Sequence, residues 1–215
     1  MKKNMAWTGM PSWPRIDAIA SLKAAGQLKG VIIDLRNNNG GIMQDFQYVL
    51  GALIPSGGYS FYKVRTKQGI GRYDYAPAMD FMYKTLETPH TVVDTEPIVL
   101  LCNARSISMA EMSSAAVKSL PNGCLIGTRT WGALSSLSSE ESSYSQLYAS
   151  TVGRQNVTSF YAYIPCLITV FPEEGILEGV GITPNIEIDL DVALLNTEHR
   201  DNQLERAIEY IVTGK

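Results

Sequence analysis

One short stretch of the chain has residue types and spacing suited to nucleophilic catalysis. It is Asn103-Ala-Arg-Ser-Ile-Ser-Met-Ala-Glu111, which follows the apolar run from Pro97 to Cys102 and precedes a helical pattern that starts near Met109. A serine at the point where a buried strand turns into a helix exposes its hydroxyl at the end of a sheet, and the helix-start amides beside it can hold an anion. The stretch therefore predicts a serine nucleophile with an adjacent anion site.

A second stretch upstream has the same form. In Gly30-Val-Ile-Ile-Asp-Leu-Arg-Asn-Asn-Asn-Gly-Gly41 a short apolar run ends in polar residues and two glycines, and an amphipathic segment begins at Ile42. Two such strand ends side by side would supply a nucleophile and an oxyanion hole. Each motif alone also fits a purely structural turn, since Ser, Asn and Asp favour helix N-caps and Gly-Gly often marks a turn.

The order of four motifs resembles one enzyme family. Residues Asp34 to Gly41 and Ser106 to Glu111 are followed by Gly127-Thr-Arg-Thr-Trp-Gly132 and by Glu178-Gly-Val-Gly-Ile-Thr-Pro-Asn185. This series resembles the tail-specific (C-terminal processing) serine peptidases and their tricorn-type relatives, over roughly residues 15 to 212. The segment from Asp201 to Tyr210 is similar to that family's closing helix.

The pattern of elements predicts an α/β protein. Helical and strand-like segments alternate, which argues for parallel pairings, and the resemblance implies a crotonase/ClpP-like core of β-β-α units with a mixed sheet and flanking helices. We predict helices over residues 16–28, 42–53 and 109–120, and strands over 31–35, 59–67, 69–75, 98–102, 124–127, 159–165, 167–171 and 186–190. The segment 76–95 is predicted to be irregular.

The domain organisation follows from length and composition. A chain of 215 residues with 45% hydrophobic and 18% charged content can bury a core of its own, so residues 1–215 are predicted to be a single, partial protease core domain. Residues 133–157 are rich in serine around Glu140 and Glu141 and predict a flexible solvated loop or, alternatively, a flap over a substrate groove.

Composition also excludes several function classes. The net charge of −3 and the lack of a basic run argue against a nucleic-acid partner. Three cysteines in apolar runs, Cys102, Cys124 and Cys166, predict buried free thiols. The sequence has no metal-ligand spacing and no coenzyme signature, so we expect no metal and no cofactor.

The resemblance assigns roles to particular residues. The family's nucleophile lies three residues before the Glu that opens the next helix, which is Ser108; Ser106, in the same turn, is the alternative. The resemblance also implies an oxyanion hole formed by the backbone N–H of Met109 and one from the turn at Gly40 and Gly41, while Asp34 and Arg36 are expected to brace the strand end.

The general base is missing from its expected positions. The processing peptidases place a Lys just after the stretch matched by Thr130-Trp-Gly132, and that position is Ala133 here. Tricorn-type relatives instead use an N-terminal His, whose position would precede residue 1, and a late Glu matched by Glu178. His90 and His199 are expected at the surface and Lys118 is expected to face solvent, so none of them is assigned as the base.

Three functional hypotheses remain open. The first is a serine endopeptidase core with Ser108 and Glu178 as catalytic residues, whose base lies in an absent N-terminal part. The second is a peptide-binding pseudo-peptidase that has lost proton transfer, and the third is a fold relative with acyl-transfer or thioester chemistry. The first implies a polypeptide substrate, export to a bacterial periplasm or cell envelope, and room for a homo-oligomer; no signal segment is recognisable in this chain.

Overall fold

The described part of the chain forms helices packed on two β-sheets. The computed structural model describes residues 13–41, 43–51, 53, 59–83, 95–135 and 167–215. The described helices are α1 (Trp13–Ala24), α2 (Met43–Gly51), α3 (Met109–Lys118), α4 (Val192–Glu198) and α5 (Asn202–Thr213). The described strands are β1 (Val31–Asp34), β2 (Tyr59–Thr66), β3 (Met79–Tyr83), β4 (Ile98–Cys102), β5 (Gly123–Gly127), β6 (Leu167–Val170) and β7 (Ile186–Glu187).

Four strands form a parallel sheet in the order β1-β4-β5-β7. Strand β4 is completely buried along its length, as expected for an unbroken apolar run covered on both faces. Strands β1 and β4 are direct neighbours, with Val31 opposite Ile98 and Asp34 opposite Leu101. Because parallel strands end at the same edge, the polar turns that follow β1 and β4 lie side by side.

A second sheet is antiparallel, in the order β3-β2-β6. It contributes Phe61, Tyr62 and Val64 to the main core, where they join residues of β4 and α3. Parallel and antiparallel pairings thus occur together with flanking helices, which confirms the predicted α/β class. The two types of pairing are divided between two sheets.

The parallel sheet is covered on both faces. On one face, α3 packs through small buried residues, and its Ser113 and Ser114 hydroxyls donate to the Met109 and Ala110 carbonyls one turn earlier, which satisfies them inside the core. On the other face, Ala207 of α5 packs against a smaller cluster that includes Val99 and Ile126. The sheet edge that carries the two turns is therefore held from both sides.

The hairpin predicted over residues 59–75 is wrong in its second strand. Residues 69–74 form a turn in which Gly71 N donates to Asp74 Oδ2 at 2.7 Å, and of the predicted second strand only Tyr75 pairs, as an isolated antiparallel bridge with Lys67. The partner of β2 is instead β3, which lies within the segment predicted to be irregular.

Helix boundaries differ from prediction by a few residues. Helix α1 begins at Trp13 and ends at Ala24, earlier than predicted, because the chain turns at Gly26 with a φ of 66°. Helices α2 and α3 begin within one residue of the predicted starts and end two residues early.

Several other predictions can be compared with the described residues. Cys102 and Cys124 are buried free thiols, as predicted, whereas Cys166, the strand predicted over 159–165 and most of the serine-rich loop lie outside the described residues. Lys118 does not face solvent as predicted, because its ammonium donates to the Thr183 carbonyl at 2.9 Å and pairs with Glu174. Of the helices described, none has the length and apolar character needed to cross a membrane.

Candidate active site

The two turns predicted to carry the chemistry are hydrogen-bonded to each other. Ser106 Oγ donates to the Leu35 carbonyl at 2.8 Å, and Ile107 N donates to the Asn38 carbonyl at 2.9 Å. Asn37 N donates to Asn103 Oδ1 at 3.0 Å. Ser106 is fully buried and its hydroxyl also accepts from Asn103 N, so this serine holds the turns together. These hydrogen bonds give Ser106 a structural role in the turn.

Gly40 lies directly against the serine turn. A Cβ placed on Gly40 would fall 2.7 Å from the Ile107 carbonyl oxygen, 2.8 Å from Ser108 Cβ and 2.9 Å from Met109 N. These separations are below any real Cβ contact, and the φ of 87° at Gly40 is one that only glycine adopts at low cost. The glycine is therefore required for the backbone of one turn to reach the other.

Ser108 occupies a strained backbone conformation at the start of α3. Its φ of 58° and ψ of −119° lie outside the regions that L-residues favour. Residues held this way cost about 1–3 kcal/mol and concentrate at functional sites. The geometry is that of a sharp strand-to-helix turn, which presents a serine hydroxyl at the end of a sheet.

The predicted anion-binding amides are only partly available. Among the described residues, no hydrogen bond uses the N–H of Met109, the first residue of α3, or that of Gly41. By contrast, the Gly40 N–H donates to Asn38 Oδ1 at 2.8 Å. Gly40 thus supplies space rather than a free donor in this structure, and the predicted pair of amides reduces to Met109 and Gly41.

Glu111 joins the serine turn to the segment after β5. The side chain is completely buried, and each of its carboxylate oxygens accepts two hydrogen bonds. Oε1 accepts from Thr130 Oγ1 and from Gly132 N, both at 2.6 Å. Oε2 accepts from Ser108 N at 3.0 Å and from Ala133 N at 2.8 Å. One carboxylate therefore sets the position of Ser108 relative to residues 130–133.

In the sequence, Glu111 marks the position of the nucleophile and has no predicted role of its own. The available signal was the spacing Ser-x-x-Glu before an apolar run, which is a capping-box pattern. That pattern predicts the bond from Ser108 N, but it does not predict that a segment about 20 residues further along the chain meets the same carboxylate.

Glu178, the predicted second catalytic residue, is exposed. Its Oε2 accepts hydrogen bonds from Leu134 N and Ser135 N, both at 2.7 Å. Among the described residues, no hydrogen bond connects Glu178 with Ser108. The carboxylate is therefore held close to residues 134–135, downstream of the segment that Glu111 binds.

Among the described residues, no basic side chain forms a hydrogen bond with Ser108. His199 is exposed and ends α4 with a φ of 56°, and Lys118 is engaged by Glu174 and Thr183. His90 lies outside the described residues. Ala133, in the position where the processing peptidases have a Lys, shares the Glu111 oxygen that Ser108 N also contacts.

Asp34 and Arg36 brace the end of β1, as predicted. Arg36 Nε donates to Asp34 Oδ1 at 2.9 Å, and Arg36 Nη1 donates to Asp201 Oδ1 at 3.0 Å and to Gln203 Oε1 at 2.9 Å. The hydrogen bonds that Asp34 and Asp201 accept from Arg36 raise the pKa of Arg36 above its ordinary value, and the Arg36 guanidinium lowers the pKa of Asp201 below its ordinary value. Arg36 therefore fastens the strand that leads to Gly40 onto helix α5.

An open cavity of about 410 Å³ lies beside the serine turn, at the carboxyl ends of β4, β5 and β7. It is lined by Asn103, Ala104, Arg105, Thr128, Asp189, Leu190 and Gln203. Ligands of sheets with parallel strands commonly bind at this edge. Among the described residues, no group of three or more His, Cys, Asp or Glu side chains is arranged to hold a metal ion.

Comparison with known proteins decides the family. Residues 15–188 match the model of peptidase family S41. The chain belongs to this family. The S41 match covers both turns, Glu111 and Glu178, and it confirms the predicted class, a serine-type peptidase.

Named relatives agree with the S41 match. Over 81% of this chain, the sequence is 25% identical to the carboxy-terminal-processing protease of Bartonella bacilliformis. Over 85% of this chain, it is 29% identical to the tricorn protease of Thermoplasma volcanium. Among solved structures, mature CPAF in complex with lactacystin superposes with a TM-score of 0.69 at 12% identity, over 99% of this chain and 50% of that one. The last likeness shows a shared fold.

The chain spans only part of these relatives. It covers 34% of the Bartonella protease and 15% of the tricorn protease.

Proposed function

We propose that this S41 chain is the core of a serine endopeptidase of the C-terminal processing and tricorn-like type, with Ser108 as its nucleophile. The observation that carries the proposal is the strained turn of Ser108, pressed against Gly40 at the start of α3. Of the two candidate serines, Ser106 is fully buried and bonded to Leu35 and Asn103, whereas Ser108 is partly exposed and precedes Met109, whose N–H makes no hydrogen bond to another described residue.

The proposed reaction proceeds through an acyl-enzyme. Ser108 Oγ loses its proton to a base and attacks the carbonyl carbon of a peptide bond, and the carbonyl oxygen becomes an oxyanion that the N–H groups of Met109 and Gly41 stabilise. The C–N bond then breaks, the amine leaves with a proton, and water hydrolyses the ester to release the second product. A donor of this kind contributes about 2.7–4 kcal/mol of transition-state stabilisation.

The proposed base comes from sequence N-terminal to residue 1, as the tricorn-type resemblance implies. A serine hydroxyl is a weak nucleophile without a base. For that reason we expect the 215-residue chain alone to have little or no peptidase activity. Glu178 remains a candidate for the relay, acting through the base rather than by direct contact with Ser108.

Installing a lysine at position 133 tests the proposal directly. Ala133 N and Ser108 N donate to the same Glu111 oxygen, so a side chain at position 133 starts close to the serine. We expect Ala133→Lys to give measurable hydrolysis of an unfolded protein substrate, rising with pH as the introduced amine loses its proton. Peptide products are measured by mass spectrometry.

Matched variants give this experiment its controls. Ala133→Met adds a side chain of similar length without an amine and should remain inactive, and Ala133→Lys combined with Ser108→Ala should lose the gained activity. Hydrolysis that persists without Ser108, or Ala133→Lys protein that is folded by circular dichroism yet inactive, would contradict Ser108 as the nucleophile in this geometry.

The inactive peptide-binding alternative gains no support from the comparisons, because the matched relatives are named as proteases. The proposed substrate is a polypeptide, and the proposed location of the whole protein is the bacterial periplasm or cell envelope. Both rest on the likeness to the carboxy-terminal-processing protease. Assembly into a homo-oligomer stays a prediction.

A further inference from the structure

Trp131 is a large aromatic side chain that stands in solvent beside the serine turn. It is 62% exposed, although it lies between Thr130 and Gly132, which are both buried. The backbone N–H of Trp131 donates to the Ser106 carbonyl at 3.2 Å. An exposed apolar patch, in contrast to a single exposed apolar side chain, marks a binding surface.

The backbone around Trp131 is fixed on both sides. Glu111 accepts hydrogen bonds from Thr130 Oγ1 and Gly132 N, and Thr130 Oγ1 in turn accepts from Ile182 N at 2.8 Å. The same carboxylate accepts from Ser108 N. The Glu111 carboxylate therefore fixes both the backbone on either side of Trp131 and the position of Ser108.

A second exposed apolar residue adjoins this segment. Gly179 N donates to the Gly132 carbonyl at 2.7 Å, and a Cβ on Gly132 would fall 2.8 Å from Val180 N, so the two backbones are in contact. Val180 is 49% exposed. The backbone contact between residues 132 and 179–180 thus brings the backbone of the exposed Val180 next to Gly132, the residue that follows Trp131.

We infer that Trp131, with Val180, forms the subsite that receives an apolar side chain of the polypeptide substrate close to the bond cleaved at Ser108. The inference rests on the proposed peptidase function and adds a substrate preference to it. An aromatic face and a branched aliphatic side chain remove an apolar group from water, while the fixed backbone beside them avoids an ordering cost. Such a subsite discriminates by burial, so a polar residue at the same substrate position binds more weakly.

The test measures binding without turnover. In a Ser108→Ala background of the 215-residue chain, fluorescence anisotropy gives the affinity of two labelled peptides that differ at one position, Phe in one and Ser in the other. We expect the Phe peptide to bind about tenfold or more tightly. Trp131→Ala should remove most of this preference, and Trp131→Phe should keep most of it.

Tyr73→Ala serves as the matched control, because Tyr73 is an aromatic residue, 78% exposed, in the turn between β2 and β3. This variant should leave the preference unchanged. A preference that survives Trp131→Ala, an equal loss in Tyr73→Ala, or no binding of either peptide overturns the subsite. If the subsite fails this test but Ala133→Lys shows hydrolysis that depends on Ser108, the proposed function still holds. If the hydrolysis does not depend on Ser108, the proposed function is wrong and the subsite is not affected.

Discussion

At the scale of single residues, Glu111 accepts four hydrogen bonds from other described residues of the candidate site. Each of its two oxygens accepts two donors, and the donors come from both sides of the site. Thr130 Oγ1 accepts from Ile182 N and therefore directs its own proton to Glu111. An acceptor-only carboxylate matches four donors, and no other side chain of this size does so.

Glu111→Gln should destabilise the chain. The amide NH₂ of Gln must face one of the two donor pairs, so two buried donors lose their acceptor, each at a cost of about 1–3 kcal/mol. We expect the free energy of unfolding to fall by at least about 2 kcal/mol, measured by urea denaturation followed by circular dichroism.

Glu178→Gln is the matched control for this loss. Both donors to Glu178 use the same oxygen, Oε2, which the carbonyl oxygen of Gln can replace, and the side chain is exposed. Its effect on stability should stay within about 0.5 kcal/mol. Equal losses of unfolding free energy in the two variants would show that the four hydrogen bonds to Glu111 stabilise the chain no more than the two hydrogen bonds to Glu178.

At the scale of elements, the contact between the glycine turn and the serine turn sets the site. Two neighbouring parallel strands bring the turns to one edge, and hydrogen bonds from Ser106 and Ile107 close the remaining gap. At Gly40 the two turns leave no room for a Cβ.

Gly40→Ala should cost more than positive φ alone explains. The left-handed backbone costs an alanine about 1–2 kcal/mol, and the collision with Ile107, Ser108 and Met109 adds about 1–3 kcal/mol as overpacking. Gly26→Ala isolates the first of these costs, since Gly26 has a φ of 66° and nothing within 4 Å of the added Cβ. Urea denaturation of both variants gives the difference, and equal losses would mean that the turns separate at little cost.

The sequence predicted this contact because each turn follows an apolar strand and opens a helix, and both patterns are local. It failed at residues 69–74, which form a turn with a hydrogen bond from Gly71 N to Asp74 Oδ2, and only Tyr75 of the predicted strand pairs with β2's neighbour Lys67. It also missed β3 and the second half of the Glu111 network, because both depend on partners distant in the chain. Local patterns predicted the elements, and long-range hydrogen bonds decided the details of the site.

At the scale of the whole molecule, Arg36 connects the candidate site to the C-terminal helix. It lies between Asp34, at the end of β1, and Asp201, which caps α5 by accepting from Gln203 N and Leu204 N. Gln203 extends the connection by donating to the Ile188 carbonyl at 2.6 Å. The last helix is thus fastened to the edge of the sheet that carries both turns.

This connection predicts a pH dependence of stability. The pKa of Asp201 is lowered in the folded chain, first by the hydrogen bond from Arg36, so its contribution is fully present above its ordinary value of 3.8 and is lost as the pH falls through the lower folded value. We expect the difference in Tm between the unchanged protein and Asp201→Asn to be constant from about pH 5 to 7 and to shrink below pH 3.8.

Asp191→Asn separates capping from ion pairing. Asp191 caps α4 by accepting from Leu194 N, and no ion pair to it occurs among the described residues. A loss of Tm in Asp201→Asn that equals the loss in Asp191→Asn at every pH would contradict the role of Arg36.

The placement of two cysteines determines how the folded core responds to oxidants. Cys102 and Cys124 lie on neighbouring strands but in the two separate core clusters, on opposite faces of the parallel sheet, so their sulfurs cannot meet in a disulfide. Burial, with the nearby Glu111 carboxylate, raises the pKa of Cys102 to about 12, and burial also raises the pKa of Cys124. Thiolates are the species that oxidants and disulfides attack, and both are suppressed here. For these two cysteines, the folded core therefore disfavours a disulfide with each other and a mixed disulfide with glutathione.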